Sequence, residues 1–256
     1  MNPEIFRAYD IRGVVDVDFH PGDIERLGRA IATYAHERGY EEIVVGRDNR
    51  LSSPPLRDAL VKGLVASGAH VLDIGIVTTP ILYHTIHTRL PHPSGVMITG
   101  SHNPPEYNGF KICIGKAAIF GEEIARLHRM IEGGAFREAQ GRVTELPGII
   151  ARYQEDLASR ISLDRPLHVV VDAGNGTAGP VAPELFRRLG CTVVERYCEL
   201  DGRYPNHHPD PTDPANLEDL IATVRREGAD LGLAFDGDAD RLGVIDETGR
   251  ILWGDQ

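Results

Sequence analysis

The chain is poor in cysteine, in long apolar runs and in clustered positive charge, and each shortage closes off a class of protein. The three cysteines, Cys113, Cys191 and Cys198, are odd in number and none are two apart. That spacing argues against both a disulfide framework and a zinc knuckle. Reduced thiols in a cytoplasmic protein are the simplest account. No apolar run is long enough to span a bilayer and no signal-peptide pattern opens the chain, so no membrane partner is expected. Asp plus Glu number 38 against 27 Lys plus Arg, a net charge of −11, and no basic cluster stands out. Nucleic acid is therefore not an expected partner, although placed Arg and Lys side chains can still hold an anionic small molecule.

What is present is a globular composition, with 41% hydrophobic and 25% charged residues in 256. That length can bury a large core in one or two domains. Strand, polar loop, helix, glycine and strand follow one another from Ile43 to Ile74, and again from Leu167 to Arg196. The repeat predicts two similar α/β domains, three-layered α/β/α with mostly parallel mixed sheets. The polar stretch 133–148 is the expected boundary, giving domains 1–147 and 148–256. Ile5 to Arg12 reads as a short strand, Ser53 as the cap of a helix with Pro54 in its first turn, and Ile149 to Ile161 as a connecting helix.

Two loops carry chemistry. Thr99-Gly100-Ser101-His102-Asn103-Pro104-Pro105 lies between the apolar runs Gly95–Ile98 and Phe110–Ile114, with Lys111 just beyond it. A serine on a stiff turn between two strands is held firmly and stays open to a ligand. The second loop, Asp236-Gly237-Asp238-Ala239-Asp240-Arg241, also joins two short strands. Carboxylates at alternate positions converge on one hard cation. An EF-hand fits only in part, because Arg241 takes the position that needs glycine and strands replace the flanking helices. Tyr204-Pro205-Asn206-His207-His208-Pro209-Asp210-Pro211 reads as a proline-locked structural turn. Arg12, Arg47 and Arg50 read as solvated charges on loops.

The run TGSHNPPEYNGFK, the sequence DGDADR and the N-terminal Tyr9-Asp10-Ile11-Arg12-Gly13 together resemble the phosphohexomutases, the family of phosphomannomutase and phosphoglucomutase. The resemblance implies that Ser101 carries a phosphate and that Asp236, Asp238, Asp240 and phosphorylated Ser101 hold Mg²⁺. It implies that Arg12, Lys111, Arg241 and Asn103 contact phosphate, with Lys111 or His102 moving the proton. The implied reaction interconverts hexose 1-phosphate and hexose 6-phosphate through a hexose 1,6-bisphosphate. The family has four domains, so the resemblance covers the first two, and a chain of this length is expected to turn over little by itself. Phosphoglucosamine mutase is an alternative within the family. Outside it stand an aspartyl phosphatase or phosphotransferase and a non-catalytic sugar-phosphate-binding module. Neither the preferred hexose nor the oligomeric state is set by these motifs.

Overall fold

The computed structural model describes residues 1–254. They fall into two compact units. The first comprises Met1–Gly100 and Pro105–Pro147, and the second comprises Ser101–Pro104 and the chain from Gly148 onward.

The first unit runs β1 (Ile11–Val14), α1 (Pro21–Glu37), β2 (Glu42–Arg47), α2 (Ser53–Ala66), β3 (His70–Ile76), α3 (Thr79–Thr88), β4 (Ser94–Ile98), β5 (Tyr107–Ile114), β6 (Ala117–Ala118), α4 (Glu122–Gly133) and β7 (Arg142–Glu145). Its strand order is β1-β5-β4-β2-β3-β7, with β6 on β5. The β4-β2-β3-β7 run is parallel, and β5 is antiparallel to both β4 and β1. Ile43, Val44 and Val45 of β2 are all buried, as a strand covered on both faces requires. Ile43, Val45, Val96, Ile98 and Phe110 meet the apolar stripes of α1, α2 and α4. On the other face Leu82 and Ile86 of α3 lie over Gly95, giving three layers. Gly28 and Gly63 let α1 and α2 approach each other closely. A Cβ at Gly28 would stand 2.3 Å from the Leu60 carbonyl oxygen, and one at Gly63 would stand 1.9 Å from that of Glu25.

Three local expectations shift in this unit. The N-terminal strand is β1, beginning at Ile11, because Pro3–Ile5 forms a 3-10 turn instead. The polar stretch 133–148 is no bare linker, since Arg142–Glu145 pairs in parallel with β3. All four of its residues are exposed, so no apolar alternation marks it. Ser53 opens α2 but does not cap it, because its hydroxyl is engaged by Asp48.

The second unit runs α5 (Ile149–Arg160), β8 (His168–Asp172), α6 (Ala182–Arg188), β9 (Thr192–Arg196), α7 (Glu218–Glu227), β10 (Leu231–Phe235), β11 (Leu242–Asp246) and β12 (Ile251–Leu252). Its order is β12-β11-β10-β8-β9. The β10-β8-β9 run is parallel, and β11 is antiparallel to β10 and β12. Val170, Ala234 and Ile245 pack on α7 through Leu220 and Val224. Val169 and Val171 pack on the opposite face with Ala182 and Phe186 of α6. This unit too has three layers.

The two sheets share a plan. Each places a parallel βαβ pair, β2-α2-β3 or β8-α6-β9, beside a third parallel strand, β4 or β10. In each, that third strand turns into an antiparallel one, β5 or β11. The two loops singled out by sequence are those turns, and both lie at carboxyl ends of parallel strands, where open α/β sheets present their ligand sites.

Candidate functional site

Gly100, the residue before Ser101, sits on a buried polar scaffold at the end of β2. One Asp48 oxygen accepts the Gly100 amide at 2.9 Å. The other accepts the Arg50 amide at 3.0 Å and the Ser53 hydroxyl at 2.5 Å. The Arg50 guanidinium pairs with Asp48 at 3.3 Å and donates to the Tyr107 carbonyl at 3.0 Å. Asn108 donates from its amide to the Ser52 and Ser53 hydroxyls. Asp48 and Arg50 are both 1% exposed, so Arg50 is no solvated charge. Such a charge is tolerated only because it is paired and hydrogen-bonded. A Cβ on Gly100 would stand 2.2 Å from Arg50 Nε, so only glycine fits above the guanidinium. Arg47, one residue before Asp48, is half-buried and lines a pocket of about 450 Å³ with Arg57, Asp73 and Glu145.

Ser101 follows in the left-handed region, φ +51°, and is 3% exposed. For a residue with a Cβ this conformation persists only where its surroundings impose it. Here they belong to the acidic loop. Ser101 Oγ donates to Asp236 Oδ2 at 2.7 Å. A Cβ on Gly237 would stand 2.5 Å from the Ser101 carbonyl oxygen, so this glycine is what admits the turn. The other Asp236 oxygen accepts the amides of Asp240 and Arg241, both at 3.0 Å, while Thr177 Oγ1 donates to the Gly237 carbonyl. Ala239, at φ +58°, closes the loop.

One carboxylate oxygen from each of Asp236, Asp238 and Asp240 lies within 4.8 Å of the other two. Asp236 and Asp238 are fully buried, and Asp240 is exposed. Burial, then the Asp238 charge, push the Asp236 carboxyl far above the usual carboxylate range, and the Ser101 hydrogen bond offsets this only in part. Two buried carboxylates side by side call for positive charge. An all-oxygen donor set of this size fits a hard divalent ion such as Mg²⁺.

The remaining residues singled out by sequence are placed as follows. His102, half-buried, sets Nδ1 3.4 Å from Ser101 Oγ, and Asn103 is half-buried in the same turn. Arg12 is buried in the first unit, where it donates to the Gly100 carbonyl at 3.1 Å and pairs with Asp10 at 2.6 Å. Lys111 is half-buried on β5, opposite Met97 of β4. Arg241 is exposed at the end of the acidic loop. Asp210 senses both Arg241 and His102. Partial burial raises its carboxyl, but the Thr212 hydroxyl and amide and those two charges hold it below its ordinary value. Sequence reasoning missed Asp48 and Arg50, and Asp210 carried no signal apart from its place in a proline-rich turn.

Comparison with known proteins decides the family. The model of phosphoglucomutase/phosphomannomutase α/β/α domain I matches residues 3–138, and that of domain II matches residues 151–249. The chain belongs to the phosphoglucomutase/phosphomannomutase family. Within it, the chain is 50% identical to a Pseudomonas putida phosphomannomutase/phosphoglucomutase over 252 residues, 98% of this chain and 54% of that one. It is 48% identical to a Neisseria gonorrhoeae phosphoglucomutase over 255 residues, 99% of this chain and 55% of that one. A solved phosphoglucomutase/phosphomannomutase family protein from Burkholderia thailandensis superposes with TM-score 0.96 at 43% identity, over 100% of this chain and 57% of that one. The chain thus spans about half the length of the curated relatives it matches.

Proposed function

We propose that this chain carries the phosphoryl-holding half of a phosphohexomutase that interconverts hexose 1-phosphate and hexose 6-phosphate, with Ser101 as covalent carrier. The observation that supports this best is the 2.7 Å hydrogen bond from Ser101 Oγ to Asp236 within the cluster of three carboxylates. In the proposed step Ser101 Oγ bonds to phosphorus of a hexose 1,6-bisphosphate as the P–O bond to one sugar oxygen breaks. The hydroxyl proton ends on that sugar oxygen, leaving a hexose monophosphate. The reverse step returns the phosphate to either sugar position. Asp236, Asp238, Asp240 and an oxygen of the seryl phosphate would hold Mg²⁺, which when bound neutralises charge on the transferring group.

The chain's own groups do the rest. Asp48 and Arg12 fix the Gly100 peptide and so the approach of the serine. His102, with Nδ1 beside Oγ, and Lys111 on β5 are the two candidates for the proton. Arg12, Lys111, Arg241 and Asn103 supply donors for phosphate oxygens. No helix among the described residues is long and apolar enough to cross a membrane. The substrate proposed is a small sugar phosphate handled in the cytoplasm.

Intact-mass analysis with peptide mapping, with and without glucose 1,6-bisphosphate, tests the reading. A gain of one phosphate on Ser101 is expected. Phosphate on any other residue rejects the assignment, and hydroxylamine-labile phosphate on an aspartate would install the aspartyl rival instead. Calorimetry with Mg²⁺ should show heat for the wild type and none for Asp238→Ala, and equal binding would remove the acidic loop from the metal site.

A further inference from the structure

The loop Tyr204–Pro211 has no part in the chemistry proposed above, yet it touches both functional turns. His208 Nε2 lies 2.5 Å from the carbonyl oxygen of His102, the residue that follows Ser101. The Tyr204 hydroxyl would lie 3.5 Å from a Cβ on Gly237, and Pro211 would lie 3.0 Å from one on Gly243.

We propose that His208 is a positioning residue for Ser101, held in place by a His207–Asp172 ion pair beneath it. His207 Nε2 faces both Asp172 oxygens, at 3.0 and 3.1 Å, and its Nδ1 faces the His208 carbonyl at 3.0 Å. Both partners are acceptors, so both ring nitrogens carry protons and the ring is an imidazolium. Asp172, at the end of β8, is 1% exposed and also accepts the Gly174 amide at 2.9 Å. The cation therefore has a buried counter-charge, and Tyr197, edge-on at 5.4 Å between centroids, stacks against the ring. One proton of His207 anchors it to the sheet, and the other holds the His208 peptide. His208 Nε2 also faces an acceptor, which places its proton on that nitrogen.

The result is a hydrogen-bonded strut from the core of the second unit to the backbone beside the serine. Pro205, Pro209 and Pro211 limit the freedom of the loop that carries it. A serine in the left-handed region relaxes unless its neighbours hold it. An error of ~1 Å at a reacting atom costs on the order of a hundredfold in rate. His208 touches no reacting atom. It acts through the His102 peptide.

This inference rests on the proposed function, and its test separates the two. The rate of phosphoryl uptake from glucose 1,6-bisphosphate is read by intact mass across concentrations. In parallel, amide hydrogen exchange is followed in peptides covering 97–110. His208→Ala should lower the maximal uptake rate on the order of 10- to 100-fold, leave the half-saturating bisphosphate concentration unchanged, and speed exchange in that peptide. His208→Gln, whose amide nitrogen reaches where Nε2 does, should restore both. Uptake at the wild-type rate in a folded His208→Ala overturns the inference. If the wild type takes no phosphate, the proposed function fails, and the exchange arm decides the inference alone: unchanged exchange overturns it. Should His208→Ala not fold, His208→Asn, whose amide stops short of the His102 carbonyl, replaces it in both arms under the same criteria.

Discussion

Left-handed backbone is distributed differently in the two units. In the first, Gly39, Gly68, Gly75, Gly115, Gly121 and Gly134 take nearly all such positions, and Asp16 is the one residue with a Cβ among those described. In the second, Ser101, Asn175, Tyr197, Tyr204 and Ala239 all adopt φ between +50° and +61°. Two of these are in the serine turn and the acidic loop, and Tyr204 is in the loop that carries His208. Each costs on the order of 1 kcal/mol or more. The sheets share one strand plan, so the plan does not demand the strain. Strain accumulates where side chains must be aimed, while glycine relieves it where the chain only has to turn. The first unit has a buried Asp48–Arg50 pair under its own Gly100 instead.

The sharpest break in the comparison is Ser101→Ala. It should abolish phosphoryl uptake while both units keep their melting behaviour, read by intact mass and circular dichroism. Persistent uptake would mean that the strained turn carries no phosphate. Next comes Asp48→Ala, which removes the buried carboxylate that faces the Arg50 guanidinium and should destabilise the first unit by about 3–5 kcal/mol in urea unfolding. A loss under about 1 kcal/mol, the range of an exposed pair, would show that the pair is solvated after all. Gly237→Ala should cost about 1–3 kcal/mol, because its Cβ meets the Ser101 carbonyl oxygen. Its effect on uptake should exceed its effect on stability, and the reverse would make Gly237 merely a packing residue.

The smallest effect concerns pH. Burial lowers the His207 imidazole, but the hydrogen bond and charge of Asp172, with the His208 carbonyl and Asp219, outweigh it and raise the net pKa above 6.5. A raised folded-state pKa means that the proton stabilises the fold. The contribution is complete below 6.5 and is lost as pH rises through the folded value. With partial solvent access it amounts to under about 1 kcal/mol. Urea midpoints of the second unit should fall over that window in the wild type and stay flat in Asp172→Asn. Equal slopes would remove the imidazolium from the strut.

Much of this was legible in the sequence because it is local. Glycine next to serine, aspartates at alternate positions and apolar runs such as Leu167–Val171 carry their meaning within a few residues. The βαβ repeat could be read for the same reason. What escaped depends on residues brought together from afar. Arg50 reads as a loop cation until Asp48 and Gly100 close over it. Arg142–Glu145 has no buried face, because it is held to β3 by the backbone ladder and by exposed polar contacts of His70 with Arg142 and Thr144. The histidine pair gave only rigidity, since the partners that give it a task, Asp172 and His102, are 35 and 106 positions away from His207 and His208.

That both turns leave a parallel strand and enter an antiparallel one has a consequence for engineering. Such a junction fixes the two stems of a loop by hydrogen bonds outside the loop itself. Its contents can therefore be exchanged without rewriting the framework, as long as a glycine stays over Arg50 and gives its amide to Asp48. A chimera carrying the residues between β10 and β11 in place of those between β4 and β5, with Gly100 kept, would keep both sheets, and would ask whether one scaffold can accept either cargo.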